Sequence, residues 1–449
     1  MRKLILFCLF LQSAVGFSQA TTYDPYSNYG IGEEGSLGDA QFLALGNVKS
    51  AYIDTTVVNF YNPSSYSFLG KGMPLTSVNI TGRLTRVAQN ELSKTYSIAN
   101  LTHIALAFPV TKRGGFAFGL TPFSRKGYLL SDTRYEDGDS VLYAYRGVGT
   151  TQRVFVGGSF QLIRSERQIL AVGANLGYIF GSVGDERYAK YKSLSYSGLD
   201  ETVYRMKSFH TDFGITYRAA LDTNMNQWLT IGVTCSPEQT LTAEKDYGLY
   251  YLKGAMFERD SIADTVIYNP DMKGTIKYPT KLNFGVGYTF RPRNADGNLK
   301  QIYELGVYAE YSRTNWSDYK EDFADGHTSP GFYDASRISV GFTYRPNIDY
   351  SNKSAGSKAL SRFQYKLGFY NQSLPTVTTI AQMNETAITG GLSVPLTVLR
   401  NSSFNFGFAA GFRSNGTTTA VSEQFLSLSL GIVISPSKYD AWFRRNKID

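Results

Sequence analysis

The chain has 449 residues, of which 18% are charged and 14% are aromatic, and it contains 43 glycines. Its mean hydropathy of -0.22 excludes a bundle of membrane-spanning helices, which would need long apolar runs. The formal net charge is +8, but the basic residues are scattered along the chain instead of forming a stripe, which argues against nucleic-acid binding.

Residues 1–20 have the pattern of a cleavable export signal. Arg2-Lys3 precedes an apolar stretch from Leu4 to Val15, and Ser18-Gln19-Ala20 offers the small residues that a signal peptidase recognises. The mature chain is expected to begin near Thr21. Cys235 is then its single cysteine, so no intramolecular disulfide is expected.

Residues 21–73 precede the first predicted strand and are predicted to form a plug. This stretch is rich in aromatic residues, which is unusual for a disordered segment. The turn formed by Asn62, Pro63 and Ser64 is expected to be rigid, because proline fixes its own φ and restricts the preceding residue. The alternative is a disordered periplasmic extension.

Residues 74–436 are predicted to form an all-β fold, a transmembrane antiparallel β-barrel of about fourteen strands. Phenylalanines at 404, 406, 408 and 412 alternate with Asn405, Gly407, Ala409 and Gly411, as expected for a wall with lipid on one face and a lumen on the other. A soluble β-sandwich also alternates, but its loops would not alternate in length. The predicted strand centres are Ile80, Leu106, Phe118, Val156, Ala174, Ile215, Ile231, Val286, Val307, Val340, Leu367, Leu392, Phe408 and Leu430.

The connections between these strands alternate in length, as in outer-membrane barrels. Tight turns are predicted at residues 112–113, 164–168, 222–227, 291–300 and 397–402. Long loops, expected on the outer side, are predicted at residues 125–151, 182–207, 236–278 and 315–334. The connection 347–358 fits less well, because it is long for a periplasmic turn.

Charged side chains at inward positions of the strands are predicted to form a lumenal network. Paired charges are tolerated on a lumen face and costly on a lipid face. We expect them to pair with one another or to hold the plug, and the alternative is that Arg218, Arg345 or Lys366 binds a substrate carboxylate. The predicted network consists of Asp212, Arg218, Glu304, Glu310, Arg345 and Lys366.

No enzymatic activity, cofactor or metal is expected. The chain has three histidines, His103, His210 and His327. His327 lies near Asp322 and Asp325, where an acid–His pair is conceivable, but such loops are normally solvated. No serine lies at a spacing typical of a hydrolase from either of the other two histidines.

The N-terminal pattern resembles the FadL/TodX family of outer-membrane channels for hydrophobic compounds. The matching residues are Leu45-Gly46-Asn47, Ala51, Asp54 and Phe60-Tyr61-Asn62-Pro63-Ser64, with Ser64 in place of the usual alanine. The resemblance implies a barrel of about fourteen strands behind an N-terminal hatch. It also implies passive uptake of long-chain fatty acids or aromatic hydrocarbons. Residues 437–449, with an aromatic-basic run at 442–445, resemble a periplasmic tail.

The sequence is compatible with two functions. The first is an outer-membrane channel for hydrophobic small molecules, in contact with outer-membrane lipid and lipopolysaccharide. The second is a barrel without transport activity that serves as a structural or accessory subunit of a larger outer-membrane assembly for secretion or protein insertion. In the second case, residues 236–278 and the basic tail at 444–447 would be docking surfaces for protein partners.

Overall fold

The computed structural model describes residues 24–35, 38–70, 74–89, 92–253, 262–292, 303–346, 359–396, 402–416 and 421–435. The predicted signal peptide, the predicted tail and the connection 347–358 lie outside these residues. Within the described ranges, no helix is long and apolar enough to cross a membrane.

Fourteen strands form a closed antiparallel barrel. Each pairs with the next strand of the barrel along the chain, and the last pairs with the first. All fourteen predicted centres lie within these strands, so the predicted fold class is confirmed. The strands are β1 (Leu75–Gln89), β2 (Leu92–Pro109), β3 (Gly114–Arg125), β4 (Asp139–Arg164), β5 (Gln168–Tyr191), β6 (Tyr196–Ala220), β7 (Gln227–Ser236), β8 (Lys281–Phe290), β9 (Glu304–Thr314), β10 (Ala335–Arg345), β11 (Gln364–Ser373), β12 (Asn384–Pro395), β13 (Ser403–Ser414) and β14 (Ser422–Ile434).

The other elements are short or lie at one end of the barrel. Additional strands span Glu33–Glu34, Tyr128–Glu136, Gln239–Lys253, Ile262–Tyr278, Lys320–Phe323 and Gly326–Thr328. One α-helical turn spans Ala40–Leu43, and 3-10 turns span Pro25–Asn28, Pro63–Phe68, Trp316–Asp318 and Ala359–Arg362. We call the end of the barrel with the tight turns the turn end, and the opposite end the loop end.

The strands alternate between an outward apolar face and an inward small or polar face. On β13, Phe404 is 52% exposed whereas the next residue, Asn405, is 3% exposed. Ile388 on β12 and Leu430 on β14 are likewise exposed. Such an apolar belt belongs against acyl chains, and the closed ladder pairs the backbone as the hydrocarbon layer requires.

The predicted turns and loops have different outcomes. The tight turns at 112–113, 164–168 and 222–227 are confirmed. The predicted loops at 125–151, 182–207 and 236–278 are wrong as loops, because most of their residues lie in strands. Strands β4, β5 and β6 have 26, 24 and 25 residues, more than double the roughly 9–11 that cross a membrane.

The extra length of these strands builds a sheet beyond the loop end, which we call the outer sheet. It pairs residues 128–136, 139–150, 182–191, 196–207, 239–253 and 262–278 in that order. Here neither face meets lipid, so the apolar alternation that identifies a membrane strand fades. The sequence pattern therefore could not distinguish these strands from loops.

Residues 24–35 and 38–70, here called the N-terminal segment, pack against inward-facing residues of the barrel. Glycines on the strands make room for its backbone. A Cβ added at Gly232 on β7 would overlap the Ser50 carbonyl, and one at Gly115 on β3 would overlap the Tyr66 carbonyl. Other barrel glycines in contact with the segment are Gly173, Gly214, Gly285, Gly341, Gly368, Gly391 and Gly407. The segment therefore rests directly on the wall.

We predict that Gly232→Ala lowers the unfolding temperature of the barrel, because the added methyl must displace the Ser50 backbone. Overpacking of this kind costs about 1–3 kcal/mol. Gly158→Ala on β4 is the control, since the nearest atom to its added Cβ is 3.9 Å away. Thermal loss of β-sheet circular dichroism in detergent measures both variants. Equal unfolding temperatures for the two variants would contradict this packing.

Candidate functional site

The Asn62-Pro63-Ser64 turn is anchored to strand β6. Asn62 caps the 3-10 turn Pro63–Phe68, and its side chain accepts a hydrogen bond from the Ser64 backbone N–H. Its Nδ2 donates to the Ser50 carbonyl at 2.6 Å and to Thr216 Oγ1 at 3.0 Å. The Ser64 and Thr216 hydroxyl oxygens are 2.6 Å apart. The turn is thus hydrogen-bonded both within the segment and to the wall.

A buried ion-pair network fastens the start of the segment near the loop end. The Arg413 guanidinium on β13 contacts Asp24 at 3.1 Å, Glu423 at 3.5 Å and Glu33 at 3.7 Å. It also pairs with Glu385 on β12. Asp24 and Glu33 belong to the N-terminal segment, and Glu423 lies on β14. The Arg413 guanidinium therefore joins the segment to β12, β13 and β14.

Two further arginines extend this network. Arg83 on β1 pairs with Glu385 at 3.2 Å, and Arg125 on β3 pairs with Glu33 at 3.1 Å. The backbone of Glu33–Glu34 also pairs with Ser124 and Arg125 as a short antiparallel strand. Charged groups buried in this way are retained only when paired, because their desolvation is costly.

Two of the predicted lumenal acids meet partners that sequence reasoning did not name. Glu310 on β9 accepts hydrogen bonds from the backbone N–H groups of Lys49 at 2.8 Å and Ser50 at 2.6 Å. It also pairs with Arg337 on β10 at 3.1 Å. Asp212 on β6 pairs with Arg153 on β4 at 2.8 Å.

The remaining predicted charges lie toward the turn end. Arg345 pairs with Asp54 of the segment at 2.9 Å and reaches Glu304 at 3.9 Å, and Glu304 also pairs with Arg291. Lys366 donates to Gln41 Oε1 at 3.3 Å and lies over the Tyr52 ring. Arg218 lies over the Trp228 ring, 4.8 Å from its centroid. Among the predicted residues, therefore, Arg345 and Glu304 meet each other, and several of the rest meet the N-terminal segment.

Two acids of the segment have lowered pKa values. Burial alone would raise the pKa of Asp54, but the Arg345 guanidinium and the hydrogen bonds from Thr56 lower it well below its usual range. Burial likewise opposes ionisation of Glu34, yet the Lys281 ammonium at 2.8 Å lowers its pKa. Both carboxylates are therefore ionised and paired in the folded chain.

Between the segment and the wall lies a cavity of about 350 Å³. Its lining carries charged groups of both signs as well as aromatic rings. The cavity is therefore not an apolar path. Charged residues on its surface include Asp24, Glu34, Lys49, Arg83, Arg153, Asp212, Lys281, Arg337 and Glu385.

An aromatic cluster covers the barrel at the loop end. The Trp316 ring contacts the rings of Tyr278 at 5.9 Å, Phe332 at 5.7 Å and Tyr319 at 5.8 Å. Ile31 of the N-terminal segment packs into the same buried cluster. The loops and the segment thus share one core above the lumen.

The histidines are placed in different environments. His103 accepts or donates a 2.8 Å hydrogen bond with Ser77 Oγ through Nε2, and its Nδ1 lies 3.2 Å from Asp39. Sequence spacing did not reveal this Ser–His–Asp arrangement, because its members lie on β1, β2 and the segment. All three residues are buried, and none of them lines the cavity described above. His327 pairs with Asp322 at 2.9 Å on an exposed hairpin.

The BamG family model matches residues 1–449. The chain belongs to the BamG family. No curated protein matches its sequence. The resemblance to FadL/TodX proteins therefore holds at the level of the fold, and the family that matches this chain has a different name.

Solved structures similar to this BamG-family chain include two proteins named as toluene transporters and one named as a hydrocarbon channel. The Pseudomonas putida toluene transporter TodX matches with a TM-score of 0.54 and 14% identity, covering 93% of this chain and 99% of that one. The Ralstonia pickettii toluene transporter TbuX matches with a TM-score of 0.52 and 14% identity, covering 89% and 98%. The CymD monoaromatic hydrocarbon channel gives 0.52 and 15%, covering 90% and 98%. Identities this low establish a shared fold.

Sequence reasoning missed the most connected residues of the lumen. Arg413 and Glu385 occupy inward positions, as the buried Ala409 and Ala387 on the same strands show. The inward–outward alternation could have identified them. Their partners Asp24 and Glu33 could not have been found in this way, because the segment has no strand periodicity.

We predict that Arg413→Met destabilises the barrel by about 3–5 kcal/mol, because four carboxylates lose their shared cation. The control is Arg134→Met, which removes an ion pair with Asp132 on the exposed outer sheet and should leave the unfolding temperature unchanged. Chemical unfolding in detergent followed by tryptophan fluorescence measures both. A stable Arg413→Met protein would show that the network does not hold the segment.

We predict that Asp54→Asn lowers stability at pH 7 and that the difference from wild type shrinks in acid. The lowered pKa of Asp54 means that its pairing with Arg345 stabilises the fold above the ordinary carboxyl pKa, and this contribution is lost as pH falls below it. Unfolding temperatures recorded between pH 7 and pH 3 provide the measurement. A constant difference over this range would contradict the assignment.

Proposed function

We propose that this chain is an outer-membrane barrel without transport activity that acts as an accessory subunit of a larger outer-membrane assembly for secretion or protein insertion. An N-terminal export signal would bring it to the envelope. The observation that carries this proposal is the fastening of the N-terminal segment from the loop end to the turn end. A hatch that must move for each transported molecule is not expected to be held in this way.

The energetic argument rests on the number of buried charged contacts that movement would break. Release of the segment would separate Asp24 and Glu33 from Arg413, Glu310 from the Lys49 and Ser50 amides, and Asp54 from Arg345. Each broken buried pair costs several kcal/mol. A few such losses exceed the free energy available from binding a small apolar solute.

The outer sheet supports a role in protein contacts. Its last strand, Ile262–Tyr278, pairs on its far side with Lys320–Phe323 only at residues 274–277 within the described part of the chain. Among the described residues, 262–273 have no strand partner on this side and so present an open strand edge, with exposed Ile262, Val266 and Tyr268. An open edge of this kind accepts an additional strand from a partner protein. This edge lies in the predicted docking region 236–278.

Passive uptake of hydrophobic molecules is the second candidate. It is favoured by the fold shared with proteins named as toluene transporters and a monoaromatic hydrocarbon channel. In that case the segment would act as a moving hatch, and the lumen would have to form an apolar path. The mixed charges of the cavity lining weigh against it.

The two candidates predict opposite results when the segment is locked. Ser64→Cys with Thr216→Cys, in a Cys235→Ser background, places two thiols where hydroxyl oxygens are now 2.6 Å apart. We expect the oxidised protein to keep its stoichiometric partners in mild-detergent purification and to support normal levels of other outer-membrane proteins. Loss of oleate or toluene uptake on oxidation, restored by reduction, would favour transport instead.

A second variant tests the docking edge directly. Replacing residues 240–277 with a short turn removes the hairpin while leaving every barrel strand in place. We expect partner copurification to be lost and the barrel to remain folded, because these residues lie beyond the membrane part. A milder variant, Val266→Lys with Tyr268→Lys, keeps the hairpin and should weaken the same association. Unchanged partners in both variants would contradict docking at this edge.

A further inference from the structure

Three cations and two carboxylates meet on the β8–β10 side of the lumenal cavity. Lys281 pairs with Glu34 at 2.8 Å, and Arg337 pairs with Glu310 at 3.1 Å. Lys49 is the third cation, and within the described part of the chain no carboxylate lies within 4 Å of its ammonium. Its Nζ lies over the Tyr61 ring, 3.8 Å from the centroid.

Among the residues that the structure describes, the Lys49 ammonium is therefore left without a paired carboxylate in this cavity. Burial and the neighbouring Arg337 and Lys281 lower the pKa of Lys49 to about 7, against the weaker opposing effects of Glu310 and Glu34. Lys49 is thus poised between its charged and neutral forms. A single negative charge placed beside it would balance the group and favour the ammonium.

We propose that the cavity binds one small organic monoanion, held by Lys49 with Arg337 alongside. Lys49, Tyr61 and Arg337 all line the cavity, so the cation and the ring face the same space. An anionic oxygen forms charge-assisted hydrogen bonds with an ammonium and with a guanidinium.

The lining also limits the class of ligand. The cavity volume of about 350 Å³ falls within the range of sites that bind small molecules. The Tyr61 ring offers an aromatic surface next to the charge, which suits a carboxylate on a compact apolar body. This binding is separate from the accessory role, and either proposal can fail without the other.

The test uses benzoate, acetate and inorganic phosphate as probes on the purified full-length protein, with isothermal titration calorimetry in detergent. We expect benzoate to bind and its neutral analogue benzamide not to bind. Lys49→Met should weaken benzoate binding at least tenfold, and Lys49→Arg should largely restore it. At pH 8, benzoate binding should also take up a proton, seen as a dependence of the enthalpy on the buffer.

A matched lysine provides the control. Lys94 also lies over a tyrosine ring, that of Tyr96 at 5.2 Å, but on the exposed end of β2. Lys94→Met should leave benzoate binding unchanged. Failure of all three probes to bind, equal binding of benzoate and benzamide, or full binding by a folded Lys49→Met protein would each overturn the proposal.

Discussion

The structure depends on the pairing of inward-facing charges of the barrel with the N-terminal segment. A barrel of fourteen strands has a lumen that its own side chains do not fill, and polar groups left there need partners or water. Here the partners come from the segment. Arg413 gathers Asp24 and Glu33, Glu310 accepts two backbone amides, and Arg345 holds Asp54. The wall and the segment therefore stabilise each other.

The glycines of the wall complement these charged contacts. Ion pairs fix where the segment lies, and missing Cβ atoms allow its backbone to approach the strands closely. At Gly368, for example, the added Cβ would overlap the Gly46 backbone nitrogen, which itself donates a 2.9 Å hydrogen bond to Thr389. Steric fit and hydrogen bonding coincide at this point. A segment seated in this way resembles a structural core more than a gate.

Much of the fold could be predicted because lipid imposes a strict alternation on each membrane strand. Phe404 to Phe412 on β13 carried that signal without ambiguity. The outer sheet escaped prediction because it lies beyond the loop end, where lipid does not impose an apolar alternation, so Asp139–Thr151 looked like a loop. Lumenal acids such as Glu310 could be predicted from the alternation, but their partners could not. Lys49 and Asp54 lie in a segment without periodicity, and only tertiary structure brings them to the wall.

We infer that the N-terminal segment is a fixed part of the folded barrel. Hydrogen exchange of the backbone amides of Gly46, Lys49 and Ser50 tests it most directly, since each donates to a side chain on the wall. If the segment is fixed, these amides exchange as slowly as amides in the central strands of the barrel. Exchange within seconds at neutral pH, while the strands remain protected, would show that the segment opens on its own and is not a fixed part of the barrel.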